Sequence, residues 1–275
     1  MILDGLEIDR FRFLSDCISS AGPGIYSLKK IADYFDMSLD DLIDDRIDSD
    51  WVRRPTLNER YRAADGSKFR TSLPLLHWLE KNYGEATQKN VLRSVKVPAE
   101  LLQFPDQSVK LSLLRDLIHA AKVRGLTDDA VFAIGLSALK IGENETIRKS
   151  LSGYRSPTAA YEFFFGPSGP IERFETNFRY RIEKMNSSSV TLSVTPYAER
   201  MTEIGAETMY DRSLSIYRWG AASGVLGLVS GTLQGVTPLR TANNAGDSEL
   251  FEISWLPDRH QAARGRASLS PLRLL

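Results

Sequence analysis

Residues 174–194 read FETNFRYRIEKMNSSSVTLSV, and their pattern decides the fold class. Apolar and polar side chains alternate over residues 174–182 and again over residues 190–194. A period of two is typical of half-buried strands, because successive side chains of a strand point to opposite faces. The stretch therefore predicts two antiparallel strands joined by a turn at residues 185–188.

The sequence that follows predicts one long helix and a second hairpin. Residues 210–233 have helical spacing and a face of small side chains. Residues 236–241 and 250–255 are typical of strands, and the turn-forming residues 243–247 lie between them. A hairpin, a helix and a second hairpin in this order indicate an antiparallel sheet with helix on one face.

The N-terminal half has helical patterns instead. Helices are predicted at residues 109–123 and 127–140, with Thr127 as the N-cap of the second, and residues 44–68 are predicted to form a polar connector. We therefore predict an α+β protein, with a helical N-terminal half followed by an antiparallel hairpin–long helix–hairpin module. The predicted divisions are a small helical unit (1–65), a helical region (66–150), the α+β module (151–257) and a basic tail (258–275).

Composition excludes several classes of protein. The 275 residues include 35 basic and 35 acidic side chains, so the formal net charge is zero, which argues against a surface that coats nucleic acid. Cys17 is the only cysteine, which excludes an intrachain disulfide framework and a cysteine-rich metal site. The longest uncharged stretch, residues 220–239, is rich in Gly, Ser and Thr. We therefore expect no membrane insertion and a cytoplasmic location.

Several stretches carry a family resemblance. They are FGPSGPIERFETNFRYRI (165–182), YRWGAASGVLGLVSGTLQG (217–235), GDSELFEISW (246–255), and, within residues 69–117, LPLLHWLEKNYG and VPAELLQFPDQSVKL. Together they resemble bacterial sensory proteins that carry a 4-vinyl-reductase or haem–nitric-oxide-binding-like C-terminal domain. The resemblance implies that residues 151–257 form a sensory module.

The chain departs from this family at the cofactor positions. Metal-binding members, which sense aromatic compounds, place cysteines near the last hairpin, where this chain has Ala242 and Glu249. Haem-binding members need an axial histidine and a spaced Tyr–Ser–Arg set, and this sequence contains no such spacing. We therefore expect the fold without the cofactor, and we predict neither a cofactor nor a metal site.

A ligand pocket is expected between the long helix and the sheet. Arg179, Arg181 and Arg218 are candidates to meet an anionic ligand or an acidic group of a partner, with plain solvent exposure as the alternative. The candidate pocket residues are Phe165, Phe178, Arg179, Tyr180, Arg181, Tyr217, Arg218 and Trp219.

The N-terminal residues allow a second interpretation. SLKKIADYFDMSLDDLI (27–43) resembles the last two helices of lambda-repressor-like DNA-binding domains. Residues 1–65 nevertheless hold 14 acidic and nine basic side chains, a net charge of −5, which disfavours nucleic acid as a partner. The candidate contacts to DNA or to a protein partner are Lys29, Lys30, Arg53 and Arg54.

Catalytic chemistry has little support in the sequence. His77, His119 and His260 are far apart, and His77 and His119 are predicted to be partly buried helix residues rather than metal ligands or bases. The sequence has no nucleophile-elbow, phosphate-loop, dinucleotide-binding or HExxH pattern. We predict no catalytic residues and no enzymatic activity.

These observations lead to three functional hypotheses. The first is a bacterial signalling and regulatory protein whose sensory module binds a small molecule or a protein partner, including a second copy in a dimer. The second is a transcription regulator that uses the N-terminal helices to bind DNA. The third is a scaffold or dimerisation protein whose sensor fold has lost its ligand.

Overall fold

The computed structural model describes residues 28–30, 32, 55–140, 145–151, 153–229, 231–242 and 247–256. Contacts divide the chain into two compact units, residues 1–56 and residues 57–275. In the first unit, residues 28–30 and 32 are helical, and Ala32 is buried. The second unit contains the helices and strands between residues 62 and 256.

Helices dominate the first part of the second unit, and strands dominate its last part. The helices are α1 (Leu73–Tyr83), α2 (Glu85–Ser94), α3 (Leu111–Lys122), α4 (Asp128–Ser137), α5 (Glu145–Leu151), α6 (Pro157–Phe165), α7 (Ile171–Phe174), α8 (Ala198–Ile204), α9 (Ala206–Met209) and α10 (Arg212–Ser223). The strands are β1 (Arg62–Lys68), β2 (Ser108–Val109), β3 (Phe178–Met185), β4 (Ser189–Pro196), β5 (Thr232–Arg240) and β6 (Glu249–Leu256). The α+β class predicted from the sequence is therefore confirmed.

The prediction of a polar connector at residues 44–68 is wrong for Arg62–Lys68, the last seven of these residues. Arg62–Lys68 forms β1, which pairs antiparallel with the two-residue strand β2. The sequence of β1 has no alternating apolar pattern, so its strand conformation depends on a partner that lies about 40 residues away in the chain.

Strands β3, β4, β6 and β5 form, in that order, an antiparallel four-stranded sheet. Its inner face buries apolar side chains from three strands, because side chains alternate along each strand. These residues are Phe178, Val190, Leu192, Val194, Phe251, Ile253 and Trp255. Ser189, Thr191 and Ser193 of the central strand β4 have the opposite phase and give the outer face a polar character.

Two helices cover the inner face of the sheet. The Tyr161 ring of α6 stacks on Trp255 at a centroid distance of 5.4 Å. The Trp219 ring of α10 lies 6.2 Å from that of Phe251. The Tyr161 hydroxyl also donates a hydrogen bond to the Ala222 carbonyl at 3.1 Å, which connects the two helices.

The predicted helix at residues 210–233 is shorter in the structure. Asp211 is its N-cap and accepts hydrogen bonds from the backbone N–H groups of Ser213 and Leu214 at 2.9 and 3.0 Å. The α-helix ends at Ser223, a 3-10 segment covers Gly224–Leu228, and β5 begins at Thr232. Repeated glycines lower the helix propensity of this stretch, which explains the early end.

The predicted helix at residues 127–140 is close to the observed α4. The Thr127 side chain accepts a hydrogen bond from the Ala130 N–H at 3.2 Å, which confirms its role as the N-cap. The α-helix ends at Ser137, and residues 138–140 continue as a 3-10 turn.

Helices α4 and α10 pack backbone against backbone. A Cβ atom added to Gly135 would collide with the Tyr217 carbonyl oxygen, and one added to Gly220 would collide with the Phe132 carbonyl oxygen. Only glycine permits so close an approach at both positions. The helical part of the unit is therefore in direct contact with the helix that covers the sheet.

None of the helices in the described ranges combines the length and the apolar character that a membrane span requires.

Candidate functional site

A cavity of 180 Å³ lies between the inner face of the sheet and residues 212–219 of α10, as far as the described residues define it. We call it the sheet–helix cavity. Its apolar wall consists of Phe178, Val194, Met209 and Trp219. Its polar wall includes Ser215, Arg218 and Glu249.

The cavity opens to solvent near the end of β5. Arg212, Thr241 and Ala242 line it there, and the Arg212 side chain is 77% exposed. Thr241 is exposed and Ala242 is half-buried. A small molecule would therefore enter between the start of α10 and residues 241–242.

A buried ion pair forms the polar wall of the cavity. An Nη2 hydrogen of Arg218 is donated to Glu249 Oε2 at 2.7 Å, and the two side chains are only 9% and 5% exposed. The other Glu249 oxygen accepts a hydrogen bond from the Trp219 indole N–H at 2.6 Å. Both carboxylate oxygens are thus satisfied, as a buried charge requires.

The guanidinium of Arg218 is only partly satisfied. Its Nη2 also donates to Ser215 Oγ at 3.1 Å, and its Cζ lies 4.1 Å from the centroid of the Phe178 ring, in cation–π contact. The Nε atom is buried and has no hydrogen-bond partner among the described residues. An unpaired buried donor is costly, and it leaves part of the hydrogen-bonding capacity of the guanidinium unused.

The surroundings keep Arg218 charged. Burial alone would lower the pKa of the guanidinium, but the nearby Glu249 carboxylate outweighs it, and the pKa is raised overall. A second carboxyl group, Glu175, lies close enough to interact with Arg218. Burial raises the pKa of the Glu175 carboxyl, although hydrogen bonds from Asn177 oppose this shift.

The structure brings three of the eight candidate pocket residues to the cavity. Phe178, Arg218 and Trp219 line it. The other five candidates are not among its lining residues: Phe165, Arg179, Tyr180, Arg181 and Tyr217.

These five residues have other contacts or face solvent. Phe165 and Tyr180 contact each other at a centroid distance of 5.3 Å. The Tyr217 hydroxyl donates to the Thr71 carbonyl at 2.7 Å. Arg179 and Arg181 are exposed because they occupy the outward phase of β3, and Arg179 lies over the Tyr197 ring.

Sequence reasoning missed Glu249 as a site residue. In β6 the buried residues recur at every second position, and Glu249 shares this phase with Phe251, Ile253 and Trp255. A carboxylate in the inward phase of an apolar strand is the signal that could have identified it. Arg218 gives the matching signal, since it follows the buried Leu214 by four positions on α10.

The N-terminal candidate contacts are only partly described. Lys29 and Lys30 are helical, and Lys29 is exposed. Arg53 and Arg54 lie outside the described residues. Their predicted role in binding DNA or a protein partner stays a prediction.

The predicted partial burial of two histidines is wrong. His77 is exposed on α1, because the buried stripe of that helix is formed by neighbouring leucines. The His119 side chain is 49% exposed, and its Nε2 lies 2.8 Å from Asp211 Oδ2. His260 lies outside the described residues.

A second, open cleft of 300 Å³ surrounds Asp116. This carboxylate accepts a hydrogen bond from the Tyr61 hydroxyl at 2.8 Å and pairs with Arg60 and Arg115 at 2.5 and 2.9 Å. Burial, together with the Asp116 hydrogen bond, raises the pKa of Tyr61 to about 12. Asp116 is fully engaged by these neighbours, so the cleft is less suited to a ligand than the sheet–helix cavity.

A concave, mostly apolar cavity with a few fixed polar groups has the general character of a small-molecule site. No family model and no curated protein matches the chain. Among solved structures, it is similar to H-NOX domains, which are haem–nitric-oxide-binding sensors.

Three H-NOX structures illustrate the likeness. A mutant H-NOX protein from K. algicida, in the unliganded Fe(II) state, is 11% identical with a TM-score of 0.52, covering 70% of this chain and 99% of that one. An H-NOX mutant from S. oneidensis in the Fe(II) ligation state is 12% identical with a TM-score of 0.52, covering 70% and 97%. A structure from a study of haem distortion in the H-NOX family is 10% identical with a TM-score of 0.51, covering 75% and 100%.

These values show that the chain has an H-NOX-like fold. They agree with the haem–nitric-oxide-binding-like part of the predicted resemblance, while the 4-vinyl-reductase part stays a prediction.

The residues present do not fit a haem. The iron needs an axial ligand such as His, Cys, Met or Tyr, and neither described histidine lines the cavity. Met209 and Tyr210 do line it, but 180 Å³ is below the range of about 300–1,000 Å³ of pockets for drug-sized ligands, and a porphyrin is larger than most of these. Among the described residues, no cluster of His, Cys, Asp and Glu is suited to hold a metal ion.

Proposed function

We propose that this chain is a non-enzymatic sensory signalling module that binds a small molecule in the sheet–helix cavity. The observation that carries the proposal is the cavity itself, which combines an apolar wall with the buried Arg218–Glu249 pair. Ligand pockets are typically apolar, with a few well-placed polar groups that fix orientation. The H-NOX-like fold supports a sensory role, because the similar solved domains are sensors.

The size of the cavity limits the ligand to about one ring. A cavity of about 150 Å³ in another protein binds benzene, and the sheet–helix cavity measures 180 Å³. A single ring with one small substituent therefore matches the available space.

Helix α10 is placed to transmit binding to the helical part of the unit. Its residues 212–219 include four that line the cavity, while Asp211 at its N-cap contacts His119 of α3 and Tyr217 donates to the Thr71 carbonyl. A ligand that favours one packing of α10 would shift the population of the two arrangements. We propose that a protein partner or a second copy of the chain reads this change.

The first prediction tests the cavity by blocking its mouth. Ala242→Trp places a large ring at the half-buried entrance, and we expect it to abolish binding of one-ring compounds. In the wild-type chain, a compound at 100 times its Kd adds about 2.7 kcal/mol of stability, which raises the Tm of a chain of this size by roughly 5–10 °C. Thermal melting with a panel of one-ring acids, amines and neutral compounds measures the effect.

The matched control is Ala198→Trp, because Ala198 is exposed and does not line the cavity. It should keep the full ligand-dependent rise in Tm. A panel that raises the Tm of neither the wild type nor the control contradicts the proposed function. So does an Ala242→Trp variant that retains the rise.

A further inference from the structure

We infer that the ligand of the sheet–helix cavity carries a carboxylate and that Arg218 binds it. This inference rests on the proposed function and adds the chemical class of the ligand. Three observations lead to it: the charge of the cavity lining, the free donors of Arg218 and the shape of the apolar wall.

The lining of the cavity has an excess of positive charge. Arg212 and Arg218 line it together with a single acidic residue, Glu249. Arg212 lies at the solvent end, where its Nε forms a long, exposed ion pair with Asp128 Oδ2 at 3.9 Å. An anion entering the cavity therefore passes one arginine and reaches another.

Arg218 retains donors for a second anion after pairing with Glu249. Both of its described hydrogen bonds, to Glu249 and to Ser215, use Nη2. Its Nε is buried without a partner among the described residues, and Nη1 donates no hydrogen bond to any of them. A guanidinium has five N–H donors, so one carboxylate does not exhaust it.

Glu249 is held in position by hydrogen bonds to both of its carboxylate oxygens. The indole N–H of Trp219 and Nη2 of Arg218 hold its two oxygens at 2.6 and 2.7 Å. We expect a ligand in the cavity to supply an acceptor for the unused donors of Arg218. Phe178, Met209 and Val194 form the apolar wall of the same cavity, which accommodates the ring that bears the carboxylate.

The second prediction compares three probes of similar size on the full chain. Isothermal titration with benzoate, benzamide and benzylamine presents the same ring with an anionic, a neutral and a cationic substituent. Benzoate should bind at least about tenfold more tightly than benzamide, because hydrogen bonds to charged groups are stronger than neutral ones. Benzylamine should show no binding.

The outcomes separate this inference from the proposed function. Benzamide or benzylamine binding as tightly as benzoate overturns the carboxylate inference while leaving the cavity as a ligand site. Absence of benzoate binding also overturns the carboxylate inference. The melting experiment with Ala242→Trp then tests the proposed function separately.

A paired substitution distinguishes recognition by Arg218 from a structural role. Arg218→Met with Glu249→Gln removes both charges of the pair, so neither partner is left as a buried ion without the other, and circular dichroism and melting verify that the fold is retained. Benzoate affinity should fall at least about tenfold, whereas benzamide affinity should change less than about threefold. An equal loss for both probes would show that the pair only shapes the cavity.

Discussion

At the residue scale, the ion pair between Arg218 and Glu249 is the feature on which the site depends. Two charges that are 9% and 5% exposed are stable together only because hydrogen bonds satisfy them. Trp219 and Ser215 supply the additional contacts. The pair thus gives an apolar interior a fixed polar group, which is what orients a small ligand.

The third prediction concerns the stability of this pair. Arg218→Met should destabilise the protein by about 3–5 kcal/mol, because it leaves the Glu249 carboxylate buried without its counter-charge. Adding Glu249→Gln should recover most of that loss. Urea unfolding of the two single variants and the double variant measures the coupling.

Arg181→Met is the matched control, since Arg181 is exposed on β3. Its effect should stay within about 0.5 kcal/mol, as for most surface substitutions. If the losses in unfolding free energy caused by Arg218→Met and Glu249→Gln simply add in the double variant, the two charges are not coupled.

At the element scale, α10 links the sheet to the helical part of the unit. Its contact with α4 brings backbone against backbone at Gly135 and Gly220, and Asp211 fixes its first turn. Any rearrangement of α10 on the sheet is therefore transmitted to α4. Under the proposed function, this contact makes α10 the element through which ligand binding would reach the rest of the unit.

The fourth prediction is that Gly220→Ala destabilises the protein. In an isolated helix this change is favourable by about 1 kcal/mol, but here the new Cβ would collide with the Phe132 carbonyl of α4. Overpacking of this kind costs about 1–3 kcal/mol, so the free energy of unfolding in urea should fall. Gly153→Ala is the control, because nothing lies within 4 Å of the added atom, and an increase in stability for Gly220→Ala would refute the close helix contact.

Periodicity predicted the elements better than it predicted their ends. The alternation in residues 174–194 predicted the first hairpin, and Thr127 predicted the start of α4. The early end of α10 was missed, because glycines are compatible both with a tightly packed helix and with the end of one. β1 was missed because its strand conformation depends on a distant partner.

At the scale of the whole molecule, the H-NOX-like fold and the size of the sheet–helix cavity lead to different expectations about the ligand. The fold is similar to that of H-NOX domains, yet the described cavity has room for only about one ring. The resemblance seen in the sequence pointed to the fold, while the expected loss of the cofactor stays a prediction. The partners of Arg218 could not be predicted, since Glu249 lies 31 positions away and meets it only in the folded chain.

The balanced composition is consistent with this account. Equal numbers of acidic and basic side chains give no overall field to attract an anion. Selectivity for a carboxylate must therefore come from local groups, chiefly Arg218 at the cavity wall and Arg212 at its mouth.

The fifth prediction is also the most direct test of the central claim, that a one-ring carboxylate binds in the sheet–helix cavity. The Trp219 indole N–H donates to Glu249 inside the cavity, whereas Trp78 and Trp255 do not line it. In ¹⁵N-tryptophan spectra, with the Trp219 resonance assigned through Trp219→Phe, added benzoate should shift that resonance saturably and leave that of Trp78 in place. A Trp219 resonance that stays unmoved at millimolar benzoate would contradict the claim.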